Sequence, residues 1–457
     1  MRSKNKIAFG LMAALLGGLV AGLNAQGPEP KKESVKSATK ETEIAGPVKP
    51  KPLSDSAKKG LAFLVGQQHE NGGWGQGGGW RSGAKGGGRV EGKEVQDPPD
   101  VANTCMATLA LIRAGSTPTD GAHAKNIARA VAFICSHVEK SDSKSLYVTD
   151  VRDTQVQVKI GPYVDTFLSS LVLAELKGKM PDEKSEQRLV ASLNKVIGKI
   201  EDNQQKDGGF AGNNGWASVL SQGLASKGLN RAAQAGVQVK AETLKRDNDQ
   251  AVAGLDRKSG TFKPAAGGTA VAGRGGLGGA SSTAPAGASA PSDAGVAIYN
   301  SSSKAAALQE TVNSLKKGEK QDRQILDDPK APKDQKEESK RRLALLNDAE
   351  KSQEAATRGI VAQVDDKQFV AGFGSNGGEE FLSFMNISET LLVKGGSEWE
   401  KWDTAVTDNL NRVQDKDGGW SGNHCITGRT FCTAGALLTL LADRAPVPVA
   451  AKASDKK

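Results

Sequence analysis

The stretch Gln414-Asp415-Lys416-Asp417-Gly418-Gly419-Trp420 is followed by Ser421-Gly422-Asn423-His424-Cys425-Ile426-Thr427-Gly428-Arg429-Thr430-Phe431-Cys432 and an apolar run over 434–441. It reads as a helix end, a glycine-rich turn, an exposed loop and a second helix. The opening spacing recurs twice upstream. Gln68 stands six residues before Trp74 with Gly72-Gly73 between them, and Gln204 six before Phe210 with Gly208-Gly209 between them. Three copies of one spacing indicate repeats. Paired glycines let the chain turn sharply after a helix. The aromatic then packs under the neighbouring repeat, and the Gln amide hydrogen-bonds backbone groups left free at a helix end.

Working outward, apolar residues at helical spacing define paired segments. The first pair begins near Ser54 and runs through Leu61, Phe63 and Leu64, then resumes at Asp100 with Met106, Leu109 and Ile112. Further pairs fall at 122–138 with 163–177, 185–202 with 215–227, 237–255 with 294–312, 355–364 with 379–393, and 399–413 with 430–442. The second loop lacks the turn signature, and Ser259-Gly260-Thr261-Phe262 is a worn version of it. Six pairs suffice to close a ring, and the second helix of each pair is rich in Ala, Ser, Gly and Thr, as close helix packing requires.

The Gln-x-x-x-Gly-Gly-aromatic unit resembles the repeat of the terpenoid cyclase and protein prenyltransferase family. The resemblance implies an all-α fold, an (α/α)6 toroid in which six inner helices are ringed by outer ones. The expected toroid spans 54–445. Within it, 265–292 is mostly Gly, Ala, Ser, Thr and Pro and reads as a disordered loop, and 316–351 is dominated by charge and reads as a solvated helical excursion without a core of its own.

The N-terminus carries Arg2, Lys4 and Lys6 before an apolar run over 7–23, ending in Asn24-Ala25-Gln26. That is the pattern of a secretory signal peptide, 1–25, cut after Ala25; an uncleaved membrane anchor is the alternative, and it would be the only membrane contact. A polar linker, 26–53, and a basic tail, 446–457, flank the toroid, and the expected location is the periplasm or cell envelope, or outside the cell. The formal net charge is +9, but lysines are spread over tails and linkers and no nucleic-acid recognition motif occurs. Of four cysteines, Cys105 and Cys135 sit on apolar helical patterns, and Cys425 and Cys432 flank a short loop; both buried thiols and bridging remain open.

In a toroid of this kind the inner helices run parallel, so their N-terminal ends gather at one mouth, where free N–H groups and helix dipoles favour anions or carbonyl oxygens. The residues there are Asp100, Asn103, Tyr163, Asp165, Trp216, Tyr299, Glu379, Glu380, His424, Cys425 and Arg429. Asp100 and Asp165 are also good N-caps, Glu379-Glu380 complements a helix dipole, and Trp74, Phe210, Trp216 and Trp420 suit packing. The loop 424–430 has no counterpart in the other repeats.

The chemistry the resemblance brings with it is missing. Triterpene cyclases use an Asp-x-Asp-Asp run to protonate substrate, and Asp97-Pro98-Pro99-Asp100 does not supply one. Zinc prenyltransferases need an Asp-x-Cys pair and a later His; the corresponding starts read Glu379-Glu380-Phe381-Leu382 and Arg429-Thr430. The Cys-Gly-Glu-Gln motif of thioester relatives is absent too, and six Trp, three Tyr and eleven Phe are few for a cation-stabilising lining. The expectation is a non-catalytic ligand-binding or scaffold protein of the cell envelope without metal or cofactor, whose mouth takes a small molecule, a lipid head group or a peptide. The alternative is an isoprenoid cyclase or transferase working through Asp100, Asp165 or Glu380. A polysaccharide lyase or glycosidase would need paired carboxylates or a basic cleft, with Trp80 and Arg81 as its only pointers.

Overall fold

The computed structural model describes residues 48–81, 88–92, 95, 97–263, 291–374 and 376–446. The expected signal peptide, the linker up to 47, most of the low-complexity loop and the tail from 447 lie outside them. The described residues form fourteen α-helices and one antiparallel hairpin, β1 (Gly79–Arg81) with β2 (Gly88–Val90).

The helices pair as outer and inner. α1 (Asp55–Gly66) leads to α2 (Val101–Arg113), α3 (Ala124–Lys140) to α5 (Val164–Leu176), and α6 (Glu183–Asn203) to α7 (Ser218–Gln234). Then α8 (Ala241–Val252) leads to α9 (Ala297–Asp327), α10 (Lys333–Gln363) to α12 (Gly378–Lys394), and α13 (Gly396–Val413) to α14 (Arg429–Leu440). Two short helices, α4 (Gln155–Ile160) and α11 (Lys367–Ala371), sit in the connections. Helices α2, α5, α7, α9, α12 and α14 each pack on the next, and α14 packs on α2. The fold is therefore an all-α, (α/α)6 toroid.

Sequence pattern decides which helix goes inside. Outer α3 buries Ile127, Ala130, Val131, Ile134 and Val138, one stripe at helical spacing with a charged opposite face. Inner α5 and α12 are buried at almost every position, because each is flanked by two inner neighbours and backed by an outer helix. Contacts between helix starts put the six inner N-termini at one end: Ala102 N–H to Asp165, Ala217 N–H to the Lys159 carbonyl, Val219 N–H to the Ser292 carbonyl, Tyr299 to Glu380, and Gly378 N–H to the Ile426 carbonyl.

The three signature turns share one geometry. Gln68, Gln204 and Gln414 donate their side-chain amides to the carbonyls of Asn126, Thr243 and Ser56, each in the first turn of the next outer helix. The helix end that the amide meets is thus that of the next outer helix, and Gln68 and Gln414 also donate to the carbonyls of Gly72 and Gly418 in their own turns. Three residues further along those outer helices, the carbonyls of Arg129, Arg246 and Lys59 would lie 2.4, 2.3 and 2.7 Å from a Cβ on Gly72, Gly208 and Gly418, which have φ of 90°, 82° and 93°. Only glycine meets both demands. Asn71, Asp207 and Asp417 accept from the N–H of the second glycine. The indoles of Trp74 and Trp420 donate to Leu64 and Leu410, and the Trp420 ring lies against Gly60 of the next repeat. The worn turn behaves alike: Gly260, φ 77°, presses on the Ala355 carbonyl of α10.

Helices α9 and α10 run on past the ring as a charged hairpin. It does have a small core, contrary to expectation: Val312, Leu346 and Ala349 form a separate cluster, and Arg342 pairs with buried Asp322 beside Ser339. Its mixed pattern hides that stripe among Lys and Glu. Packed structure also begins ahead of 54, with Val48 and Leu53 against the main core.

Candidate functional site

At the N-terminal mouth, Asp100 caps α2 by accepting from Asn103 N–H (2.8 Å) and the Asn103 amide (2.8 Å). Asp165 lies in the first turn of α5, yet it serves its neighbour, accepting from Ala102 N–H (2.9 Å) and from the Gln157 amide (2.7 Å). Burial, then the nearby Asp165, pushes the Asp100 carboxyl up to about 7. Burial likewise raises Asp165 above the ordinary carboxylate range.

Across the mouth, Glu380 reaches back to the start of its own helix α12, accepting from Gly377 N–H (2.9 Å), Phe373 N–H (2.9 Å) and the Tyr299 hydroxyl (2.5 Å). Glu379 accepts from Ile426 N–H (3.1 Å), and its other oxygen is buried without a hydrogen-bond partner. Burial, then the adjacent Glu380, lifts Glu379 to about 8. The same causes drive the Tyr299 hydroxyl well above its ordinary value, and burial, then Glu379, raises the Cys425 thiol. Neither is a thiolate or phenolate nucleophile in this setting.

The loop 422–428 lies across this end. Gln155 of α4 accepts from the N–H groups of Thr427 and Gly428, Asn423 N–H reaches the Asn376 carbonyl, and Arg89 of β2 donates to Gly422. His424 Nε2 stands 3.4 Å from Glu380, with its ring against Phe373, which stacks edge-on to Trp216 and through it to Tyr299. Arg429 is turned sideways, paired with Asp415 and Asp417 over the Phe63 ring. Of the expected mouth residues, Asp100, Asn103, Asp165, Tyr299, Glu379, Glu380 and Arg429 are buried, while Tyr163, Trp216, His424 and Cys425 are half-buried. Tyr163 donates to Ala211 and packs on Tyr147, away from the carboxylates. All four cysteines are free thiols, Cys425 and Cys432 among them. Among the described residues no His, Cys, Asp and Glu cluster has the makings of a metal site.

The densest charge lies at the opposite end, in residues not singled out from sequence. Arg113 of α2 forks onto Glu175 of α5, with its second nitrogen 2.8 Å from that carboxylate. Arg231 of α7 forks onto Glu310 of α9 (2.7 Å) and stands 3.7 Å from Glu175, while Lys227 pairs with Glu389 of α12, itself 3.9 Å from Arg113. Three cations face three carboxylates, all buried. Burial opposes ionising Glu389, but Lys227, Arg113 and Arg231 outweigh it and hold the carboxyl down at about 2. Burial opposes Glu175 likewise, and Arg113 overrides it. The space between Arg231, Glu310, Glu389, Asn313, Ala445 and Pro446 leaves room for about one water molecule. The signal was visible as single charges in the otherwise small and apolar inner helices.

No protein-family model matches the chain, and no curated protein matches it. Among solved structures it is similar to the type II terpene cyclase MstE from Scytonema. A variant of that protein in complex with its product, merosterolic acid A, matches with a TM-score of 0.43 at 12% identity, over 85% of this chain and 96% of that chain. The apo form matches with a TM-score of 0.41 at 12% identity, over 84% and 96%. A variant with its substrate, geranylgeranyl dihydroxybenzoate, matches with a TM-score of 0.40 at 12% identity, over 85% and 96%. The likeness is one of helix arrangement.

Proposed function

We propose that this chain is a non-catalytic α/α toroid of the cell envelope, a scaffold that presents its mouth face to a partner. The observation that carries this reading is the buried network of Arg113, Glu175, Lys227, Arg231, Glu310 and Glu389. An isoprenoid needs a dry, apolar chamber, whereas these groups hold one end of the axis with paired charges whose desolvation is offset only by one another. At the other end the loop 422–428 lies over the inner-helix starts, and half-exposed Trp80 and Phe373 offer contact surface. Export belongs to the same proposal, supported by the charged and apolar pattern of 1–25; N-terminal sequencing of protein taken from its own envelope tests it, and a chain beginning at Gln26 is expected.

One observation favours the second reading, an isoprenoid enzyme: Asp100 at about 7 and Glu379 at about 8 are buried carboxyls suited to proton donation near neutrality. Their hydrogen bonds, however, are to helix-start and loop N–H groups, which is the work of a cap. Both readings are separated by incubating the full chain with squalene and with geranylgeranyl diphosphate, and following products and thermal midpoint. No product and no shift in midpoint are expected. A product that disappears in Asp165→Asn would overturn the scaffold reading.

A further inference from the structure

The chamber at the network end is closed by a C-terminal turn, and the turn is held from the other end of the chain. The 3-10 turn Ala442–Arg444 leads into Ala445 and Pro446, which line the chamber together with Arg231, Glu310 and Glu389. Lys51, far away in sequence, grips this turn through its backbone. Its N–H donates to Asp443 Oδ2 (2.6 Å), and its carbonyl accepts from Arg444 Nη2 (2.6 Å). The Lys51 ammonium pairs with Asp403 of α13.

The local sequence suits this task. Pro50 and Pro52 have no N–H, so Lys51 is the one backbone donor of that tripeptide. The following proline holds Lys51 in an extended conformation, which points its N–H and carbonyl to the same side of the strand, so that one turn meets both. Val48 and Leu53 at the ends of the strap pack on the main core, and a groove lined by Pro52, Asp403, Thr407 and Leu441 runs along its middle, where the polar contacts of Lys51 hold it. Ala442 and Ala445 are packed in the main core, and the contacts of Asp443 and Arg444 to Lys51 add the polar hold on the turn.

We propose that residues 48–54 are a latch: Lys51 holds the C-terminal turn down as a lid over the charged chamber, and release of the strap opens that end of the toroid. This goes beyond the scaffold reading and does not depend on it.

The test is arginine labelling of the full chain with phenylglyoxal, resolved by mass spectrometry. Arg231 reports the chamber, Arg429 is a buried reference at the far mouth, and Arg188 is a half-exposed reference on the outer ring. In Asp443→Ala and Arg444→Ala, labelling of Arg231 is expected to rise about tenfold or more relative to Arg188, the effect of losing one hydrogen bond to a charged group on a local opening. Arg429 is expected to stay protected. Lys51→Ala, which keeps both backbone contacts, is expected to change Arg231 by no more than about threefold, as for an exposed ion pair. Unchanged Arg231 in both turn variants sinks the latch. So does a parallel rise of Arg231 and Arg429, which would mean that the clamp merely supports the whole fold.

Discussion

The side-chain amide of Gln414 donates to the carbonyl of Ser56 at 2.9 Å, joining the last outer helix to the first across 358 residues. With the packing of α14 on α2 and of Trp420 on Gly60, that contact closes the chain into a ring. Gln68 and Gln204 make the same reach to the next outer helix inside the chain.

Losing this reach weakens a junction by a partly buried hydrogen bond, and for Gln414 the bond to the Gly418 carbonyl goes with it. Gln414→Ala is expected to cost about 1–2 kcal/mol, read from the urea midpoint, and Gln204→Ala a similar amount. A midpoint unmoved in both would show that packing alone closes the ring.

The turn glycines carry a heavier demand, since a Cβ meets both a left-handed backbone and a carbonyl at 2.3 Å for Gly208 and 2.7 Å for Gly418. Each Gly→Ala change there is expected to cost about 2 kcal/mol or more, the sum of strain and displacement. Gly66→Ala, in a helix and with nothing near it, is expected to be neutral or to stabilise by up to about 1 kcal/mol. Thermal unfolding of the three variants compares them directly.

The ion network responds to which partner is removed. Glu389→Ala leaves Lys227 buried without its carboxylate and is expected to cost about 3–5 kcal/mol, while replacing Arg231 and Glu310 together by Met and Leu costs much less. Urea denaturation of both variants decides it. Equal losses would mean that the pair stabilises beyond its own desolvation.

Two titrations act in opposite windows. Glu389 is depressed from 4.5 to about 2, so its stabilisation is complete above about 4.5 and is lost as the pH falls toward 2. Glu379 is raised from 4.5 to about 8, so its contribution is complete below about 4.5 and is lost as the pH rises through 8. Asp100 and Asp247, each raised to about 7, act in the same direction as Glu379. Glu379→Gln keeps an acceptor for Ile426 N–H and removes that charge. It is expected to be more stable than the parent at pH 8 and to flatten the decline between pH 5 and 8, as measured by midpoints across that range.

The charged hairpin is expected to be dispensable for the ring. Removing 319–342 with a short Gly-Ser turn spares Val312, Leu346 and Ala349 and takes out Asp322 together with its partner Arg342, and the thermal midpoint should move by only a few degrees, because the other pairs lost are exposed and contribute about 0.5 kcal/mol each. Collapse of the midpoint would assign the hairpin a structural role.

The number of helix pairs, their inner or outer place and the glycine turns were legible in sequence, because they rest on local demands: helical periodicity, positive φ, and the small side chains of helices covered on every side. Asp100 as a cap was legible for the same reason. What tertiary structure alone decided is which group each side chain meets. Asp165 looks like a cap for its own helix and caps α2 instead, since ring closure brings the start of α5 against the start of α2. The charges of the network lie 62, 79 and 162 residues from their partners, a separation at which no spacing rule couples them. Singly, each would be a costly charge in a buried helix. Together they are neutral, and only the closed ring puts them face to face.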